Sequence, residues 1–134
     1  MKKFEELIVW QKAMEFAEIV YKVQRKLPRE ETYGLGDQIR RAVVSIPSNI
    51  AEGCGRETDA DFQRFLSIAR GSLFEVRTQL DLAVRLGYVK ISEEVFLKAM
   101  EIGRMLNSLI RKIRNSSAPR QPPTVNRQPL KANS

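Results

Sequence analysis

The sequence predicts an all-α fold, an antiparallel up-down four-helix bundle in a single domain. Apolar residues recur every three or four positions in four separate segments, which is the period of an amphipathic helix. Short stretches with proline, glycine or capping residues separate the segments, so consecutive helices can turn back on one another. A chain of 134 residues can bury a core without metal, and its single cysteine, Cys54, excludes an internal disulfide.

The first helix is predicted over residues 4–26. Glu5 and Glu6 lie at its start and Arg25 and Lys26 at its end, which is the arrangement that the helix dipole favours. Pro28 follows directly and is expected to stop the helix.

The second helix, predicted over residues 36–52, has a proline inside it. Pro47 cannot donate to the carbonyl of Val43 and its ring crowds that carbonyl, which costs ~3 kcal/mol in an ordinary helix interior. We therefore expect a kink at Pro47. Polar side chains beside the kink can bond the freed backbone groups: Ser45, Ser48 and Asn49.

Polar residues also follow one side of this second helix. Ser45, Asn49 and Glu52 are spaced to share a face, where they either fix the kink and the helix register or form a ligand site. We favour the first interpretation. The glycines that follow, Gly53 and Gly55, are expected to end the helix because glycine readily adopts the left-handed cap conformation.

The third and fourth helices are predicted over residues 59–86 and 93–114. Thr58 and Ser92 cap them, and their apolar residues follow a seven-residue rhythm suited to near-parallel packing. Gly71 and Ser72 lie inside the third helix and Gly103 inside the fourth. Because an interior glycine costs ~1 kcal/mol relative to alanine, we expect another helix, of the same chain or of another subunit, to approach closely at these positions.

Residues 115–134 are predicted to form a disordered basic tail. Four of the six prolines lie there, together with three basic residues, no acid and almost no large apolar side chain. Such a segment cannot bury enough apolar surface to fold by itself. The predicted bundle therefore comprises residues 1–114.

The charge predicts an anionic partner, with RNA or DNA the first candidate. The net charge is +7 and the isoelectric point is near 9.9. Basic residues follow one face of the third and fourth helices and are candidate phosphate contacts: Arg70, Arg77, Arg104, Arg111, Lys112 and Arg114. The alternative is a solvated face with ion pairs, which Asp81 favours on the third helix because it can pair with Arg77 or Arg85.

Signatures of catalysis are mostly absent, and no metal or cofactor is expected. There is no histidine, no cysteine cluster and no phosphate-binding glycine loop. Glu52, Glu75 and Glu101 are the residues that a di-metal bundle site would use, but the Glu-x-x-His motif of such sites is missing. Cys54 is either a reactive thiol or an incidental small residue, and we favour the second.

The aromatic residues do not predict a base-stacking platform. Four phenylalanines lie on or beside apolar helix faces and are expected in the core: Phe62, Phe65, Phe74 and Phe96. One of Trp10 and Tyr33 is expected at the surface in a subunit contact. Neither a secretory signal nor a membrane-spanning run is evident, so we expect a cytoplasmic protein.

Several motifs together resemble a known family. They are residues 7–13 (LIVWQKA), 33–35 (YGL), 38–42 (QIRRA), 45–53 (SIPSNIAEG) and 71–73 (GSL), with Pro28, Glu31, Phe62, Phe65, Leu66, Ile68, Ala69, Glu75 and Thr78. The chain resembles, over roughly residues 4–90, the four-helix bundle proteins encoded in intervening sequences of bacterial large-subunit ribosomal RNA genes. It is similar, more distantly, to accessory proteins of diversity-generating retroelements.

This resemblance implies a bundle that assembles into a ring, typically a homopentamer, with no established enzymatic activity. The retroelement proteins are basic pentamers that bind a reverse transcriptase and its RNA. The residues and the resemblance together leave three hypotheses: a ring-forming protein that binds structured RNA, a scaffold that docks a protein such as a polymerase, and a metal-dependent enzyme. We favour the first.

Overall fold

The computed structural model describes residues 3–116, which form four α-helices and two single 3-10 turns. The helices are α1 (Ile8–Gln24), α2 (Leu35–Cys54), α3 (Asp59–Arg85) and α4 (Glu93–Ser116); the 3-10 turns are Phe4–Glu6 and Arg29–Glu31. Each helix packs against the next one along the chain, and α1 also packs against α4, whereas diagonal helices do not meet. This arrangement confirms the predicted all-α four-helix bundle, and the part of the chain described here contains no strand.

Contacts between the helices give their directions. Arg40 in the first half of α2 donates to Gln24 at the end of α1 (Nη1 to Oε1, 2.6 Å). Lys12 near the start of α1 lies 3.5 Å from Glu101 in α4. From Ser45 to Gly53 along α2, the contacts in α3 run back from Ser72 to Phe62, so these two helices are antiparallel. The contacts of α3 with α4 run back in the same way, from Arg70 with Asn107 to Leu73 with Gly103. The core between the helices is apolar, and its largest fully buried side chains include Phe16, Ile39, Ile46, Ile50, Leu66, Leu73, Leu80, Ile102 and Leu106.

The ends of the first and last helices differ from the predicted bounds. Leu7 is extended (φ −77°, ψ 124°), so α1 begins after it and the preceding residues form a separate 3-10 turn. This turn places the Phe4 ring edge-on to Trp10, with centroids 5.3 Å apart. At the other end α4 continues through Ser116, two residues into the predicted tail. The rest of that predicted tail, residues 117–134, lies outside the described residues.

Helix α2 is continuous through Pro47, which is buried. The kink expected there stays a prediction. The predicted left-handed cap at the end of α2 is wrong: Gly53 is helical and Gly55 has a φ of −88°. The left-handed residue is Gly87 after α3, with a φ of 77°. There the amides of Gly87 and Tyr88 bond carbonyls of the last turn of α3, so a glycine is required.

Gly53 allows α2 and α3 to approach closely. A Cβ at this position would lie 2.8 Å from the Cβ of Phe65 and 3.0 Å from Cδ1 of Phe62. Neither neighbouring atom is the far end of a flexible side chain, so a larger residue must push the helices apart. At Gly71 no atom of another helix among the described residues would lie within 4 Å of an added Cβ, so none of the described helices approaches there, and an approach by another subunit stays a prediction. At Gly103 a Cβ would lie 3.4 Å from Leu73, in a contact between α4 and α3.

A polar cluster joins α2 to α3 beside Pro47. The hydroxyl groups of Ser45 and Ser72 lie 2.8 Å apart, and Asn49 donates from Nδ2 to both Oγ and the backbone carbonyl of Ser45, each at 2.8 Å. Ser72 is buried, so this bond gives its hydroxyl the partner that burial requires. Glu52 lies outside the cluster and forms an ion pair with Arg56 at 3.1 Å.

We expect Gly53→Ala to destabilise the protein by about 1–3 kcal/mol, because overpacking forces α2 and α3 apart. The matched control is Gly71→Ala, which meets no neighbour and should stabilise α3 by about 1 kcal/mol. Urea denaturation of both variants measures these changes. Equal effects of the two substitutions would show that the α2–α3 contact is not tight at Gly53.

Ser72→Ala should lower the free energy of unfolding by about 1 kcal/mol, since it removes the hydrogen bond between α2 and α3. Ser48→Ala is the control because Ser48 is exposed on the same helix turn as Pro47. Thermal unfolding of the two variants tests this. If the Ser48 variant loses as much stability as the Ser72 variant, the polar cluster does not stabilise the contact between α2 and α3.

Candidate nucleic-acid interface

The C-terminal half of α4 carries a purely basic surface. Residues 104–116 include four cations and no acid, and all four cations are exposed: Arg104, Arg111, Lys112 and Arg114. Cations near a helix C-terminus interact favourably with the helix dipole. Within residues 3–116, Arg104, Arg111 and Lys112 have no hydrogen-bond or ion-pair partner. Their charge is therefore available to an external anion.

The two candidate arginines of α3, Arg70 and Arg77, differ in whether they have a hydrogen-bond partner within the described residues. Arg70 donates from Nη1 to Oδ1 of Asn107 at 2.8 Å and so bridges α3 and α4. Arg77 is half-buried and has no such partner within the described chain. Its predicted pairing with Asp81 is not formed, because Asp81 bonds Arg85 instead, at 3.2 Å.

Helix geometry brings α3 and α4 residues together along one groove. We define the α3–α4 groove by Arg70, Phe74 and Arg77 on α3 and by Phe96, Met100 and Asn107 on α4. Its widest part, about 580 Å³, is lined by Phe74, Arg77, Thr78, Asp81 and Phe96. The bond between Arg70 and Asn107 lies further along, toward the basic end of α4. Arg70 and Arg77 thus border this groove. Arg104 and Lys112 instead lie on the side of α4 that faces α1, beside Ile8 and Val9.

Phe74 was expected in the core, and this prediction is wrong. Phe62 and Phe65 are buried as predicted, and Phe96 is half-buried, but half of the Phe74 surface (50%) is exposed. The position lies beside the apolar rhythm of α3, next to Leu73, at the edge of the buried face. Helix α4 therefore covers Phe74 only in part.

Other arginines are paired with carboxylates within the fold. Phe65 is enclosed by the guanidinium groups of Arg56 and Arg64, at 4.6 and 4.5 Å from the ring centroid. Arg64 bonds Asp61 at 3.1 Å, and Arg41 bonds Asp37 at 2.9 Å. Adjacent carboxylates compensate these cations, which makes them poor phosphate contacts.

A second groove lies between α1 and α2. It encloses about 660 Å³, and its apolar wall consists of Phe4, Trp10, Met14, Tyr21, Val44 and Pro47. Met14 and Val44 are 39% and 43% exposed. Trp10 is half-buried in this wall, whereas Tyr33 projects from the connection before α2 and is 93% exposed. We call this surface the α1–α2 groove.

The carboxylates considered as metal ligands do not lie together in one site, because each has another partner. Glu101 pairs with Lys12, Glu52 with Arg56, and Glu75 accepts from Gln79 at 3.3 Å. Among residues 3–116, no three metal-ligating side chains gather into a site. Burial raises the pKa of the Cys54 thiol, which disfavours the thiolate that a reactive cysteine requires.

No helix of the described segment combines the length and apolar character needed to cross a bilayer.

Comparison with known proteins shows the family. The profile of the family described as 23S rRNA-intervening sequence protein matches residues 5–108 and so includes part of α4, beyond the motifs that carried the resemblance. The fold is similar to a crystal structure from Bacteroides thetaiotaomicron, of a protein with unknown function from the S23 ribosomal protein family. That similarity has a TM-score of 0.72 and 30% identity, and covers 78% of this chain and 99% of the other. No curated protein matches the chain. The chain therefore belongs to the family of 23S rRNA-intervening sequence proteins.

Proposed function

We propose that the protein binds structured RNA through the basic surface of α4, with Arg70 and Arg77 as further contacts, and that it acts as a binding protein rather than an enzyme. The observation that carries this is that Arg104, Arg111 and Lys112 have no hydrogen-bond or ion-pair partner among residues 3–116. Cations that no carboxylate compensates can displace the counterions condensed on a phosphate backbone.

Family membership supports the same partner. The family description concerns an intervening sequence of 23S rRNA, so a ribosomal RNA segment is a natural first candidate. The single cysteine is compatible with a reducing cytoplasm, where such RNA is found. A scaffold that docks another protein is the competing proposal, in which charge only steers the encounter.

The triple substitution of Arg104, Arg111 and Lys112 to Gln should weaken RNA binding and reduce the salt dependence. Because each lost phosphate contact lowers the slope of log affinity against log salt by about 0.7–0.9, we expect the slope to fall by about two to three. Filter binding of a 23S rRNA fragment between low and moderate salt measures the slope.

The matched control replaces Arg41, Arg64 and Arg85 with Gln. It removes the same charge, but from residues that are already paired with carboxylates. RNA binding of this control should stay close to that of the unmodified protein. A salt-independent affinity, or equal losses in both triple variants, would contradict the α4 site and favour the protein-docking alternative.

We further propose that the chain forms a homo-oligomer, a pentameric ring by family resemblance, through the α1–α2 groove. The support is apolar surface left uncovered in a single chain at Met14 and Val44, next to the half-buried Trp10. A contiguous apolar patch rimmed by polar residues is typical of a protein interface.

Val44→Glu should break this assembly, since it places a charge in the apolar wall of the groove. Sedimentation equilibrium should give the unmodified protein a multiple of the 15.4 kDa single-chain mass and the variant a smaller species. Leu86→Glu is the control, because Leu86 is 51% exposed outside the groove. An unmodified protein that sediments as a single chain at every concentration would overturn the proposal.

A further inference from the structure

The widest part of the α3–α4 groove has the features of a nucleotide site. We propose that an unpaired nucleotide of the bound RNA enters it, with its base stacked on Phe74 and its phosphate beside Arg77. This inference rests on the proposed RNA binding and specifies which RNA structure the protein recognises: a helix interrupted by an unpaired base, rather than an uninterrupted duplex.

The volume and the aromatic lining of the groove suit a planar base. About 580 Å³ is open between α3 and α4, with the exposed ring of Phe74 and the half-buried ring of Phe96 among its walls. A base can stack on such a ring whatever its identity, because every base has a π-face. The groove therefore offers stacking without implying a base preference.

The charge of the groove favours a nucleic acid over an apolar protein segment. Arg77 lies in the wall beside Phe74 and has no partner within the described residues. The acid in the same wall, Asp81, is bonded to Arg85, which compensates its charge. Exposed aromatic surface next to an uncompensated arginine is the combination that single-stranded RNA sites use.

Polar and basic side chains lie between the widest part of the groove and the basic end of α4. Beyond Phe74, Arg70 is held by Asn107, and Arg111 follows Asn107 by one helical turn. A strand leaving the stacked base in this direction meets a series of cations at helical spacing. One RNA can thus use the groove for an unpaired base and the α4 surface for the adjoining helix.

The test compares two RNAs of equal length and charge by fluorescence anisotropy, one fully paired and one with a single-base bulge. Phe74→Ala should weaken binding of the bulged RNA about 5- to 150-fold, the range that the loss of one stacked base implies. Binding of the duplex should not change. Phe74→Tyr should restore the affinity, because it keeps the ring. Leu82→Ala is the control, since Leu82 is 45% exposed on α3 outside the groove.

The possible failures are distinguishable. If the unmodified protein binds neither RNA, both the proposed function and this inference are wrong. If it binds both in a salt-dependent manner and Phe74→Ala affects them equally or not at all, RNA binding stands and the stacking site is wrong. If Phe74→Ala instead lowers the sedimenting mass while Leu82→Ala does not, the groove is a contact between subunits and the inference is overturned.

Discussion

The contact between α2 and α3 is the constraint on which the rest of the structure depends. These helices form the most extensive pair in the bundle, and Gly53 lets the first turns of α3 lie directly against the end of α2. About two helical turns before Gly53, Ser45 joins α2 to Ser72 of α3 through a buried hydrogen bond. A close-packed contact of this kind, with a polar bond inside it, allows little rotation or sliding of α3.

The orientation of α3 in turn determines which of its residues remain available. Its buried face packs on α2 and on α4, where Leu73 meets Gly103. Phe74 and Arg77 then lie at the margin of the α4 contact instead of in the core or fully in solvent. The groove that combines an exposed aromatic ring with an unpaired cation is thus a consequence of how closely three helices pack.

Pairing within the chain separates two groups of arginines that look alike in sequence. Arg41, Arg64 and Arg85 each have an aspartate three or four residues away on the same helix, and each pair is formed. Residues 104–116 contain no acid, so Arg111 and Lys112 have no such neighbour on their helix, and Glu101, three residues before Arg104, is paired with Lys12. Net charge alone would treat both groups equally, whereas local compensation shows which one can attract an anionic polymer.

The sequence by itself determined the four helices, their apolar faces and the family, because helical periodicity, capping residues and local motifs are properties of neighbouring positions. It also predicted that Ser45 and Asn49 act together beside Pro47, since one helix turn separates them. Only the tertiary structure decided the exposure of Phe74, the choice of Asp81 between Arg77 and Arg85, and the close approach at Gly53 rather than Gly71. The exposure of Phe74 and the close approach at Gly53 depend on distances between helices, and periodicity along one helix does not specify how far its neighbours cover it. Asp81 has an arginine four residues away on either side of it in α3, so spacing alone does not choose between them.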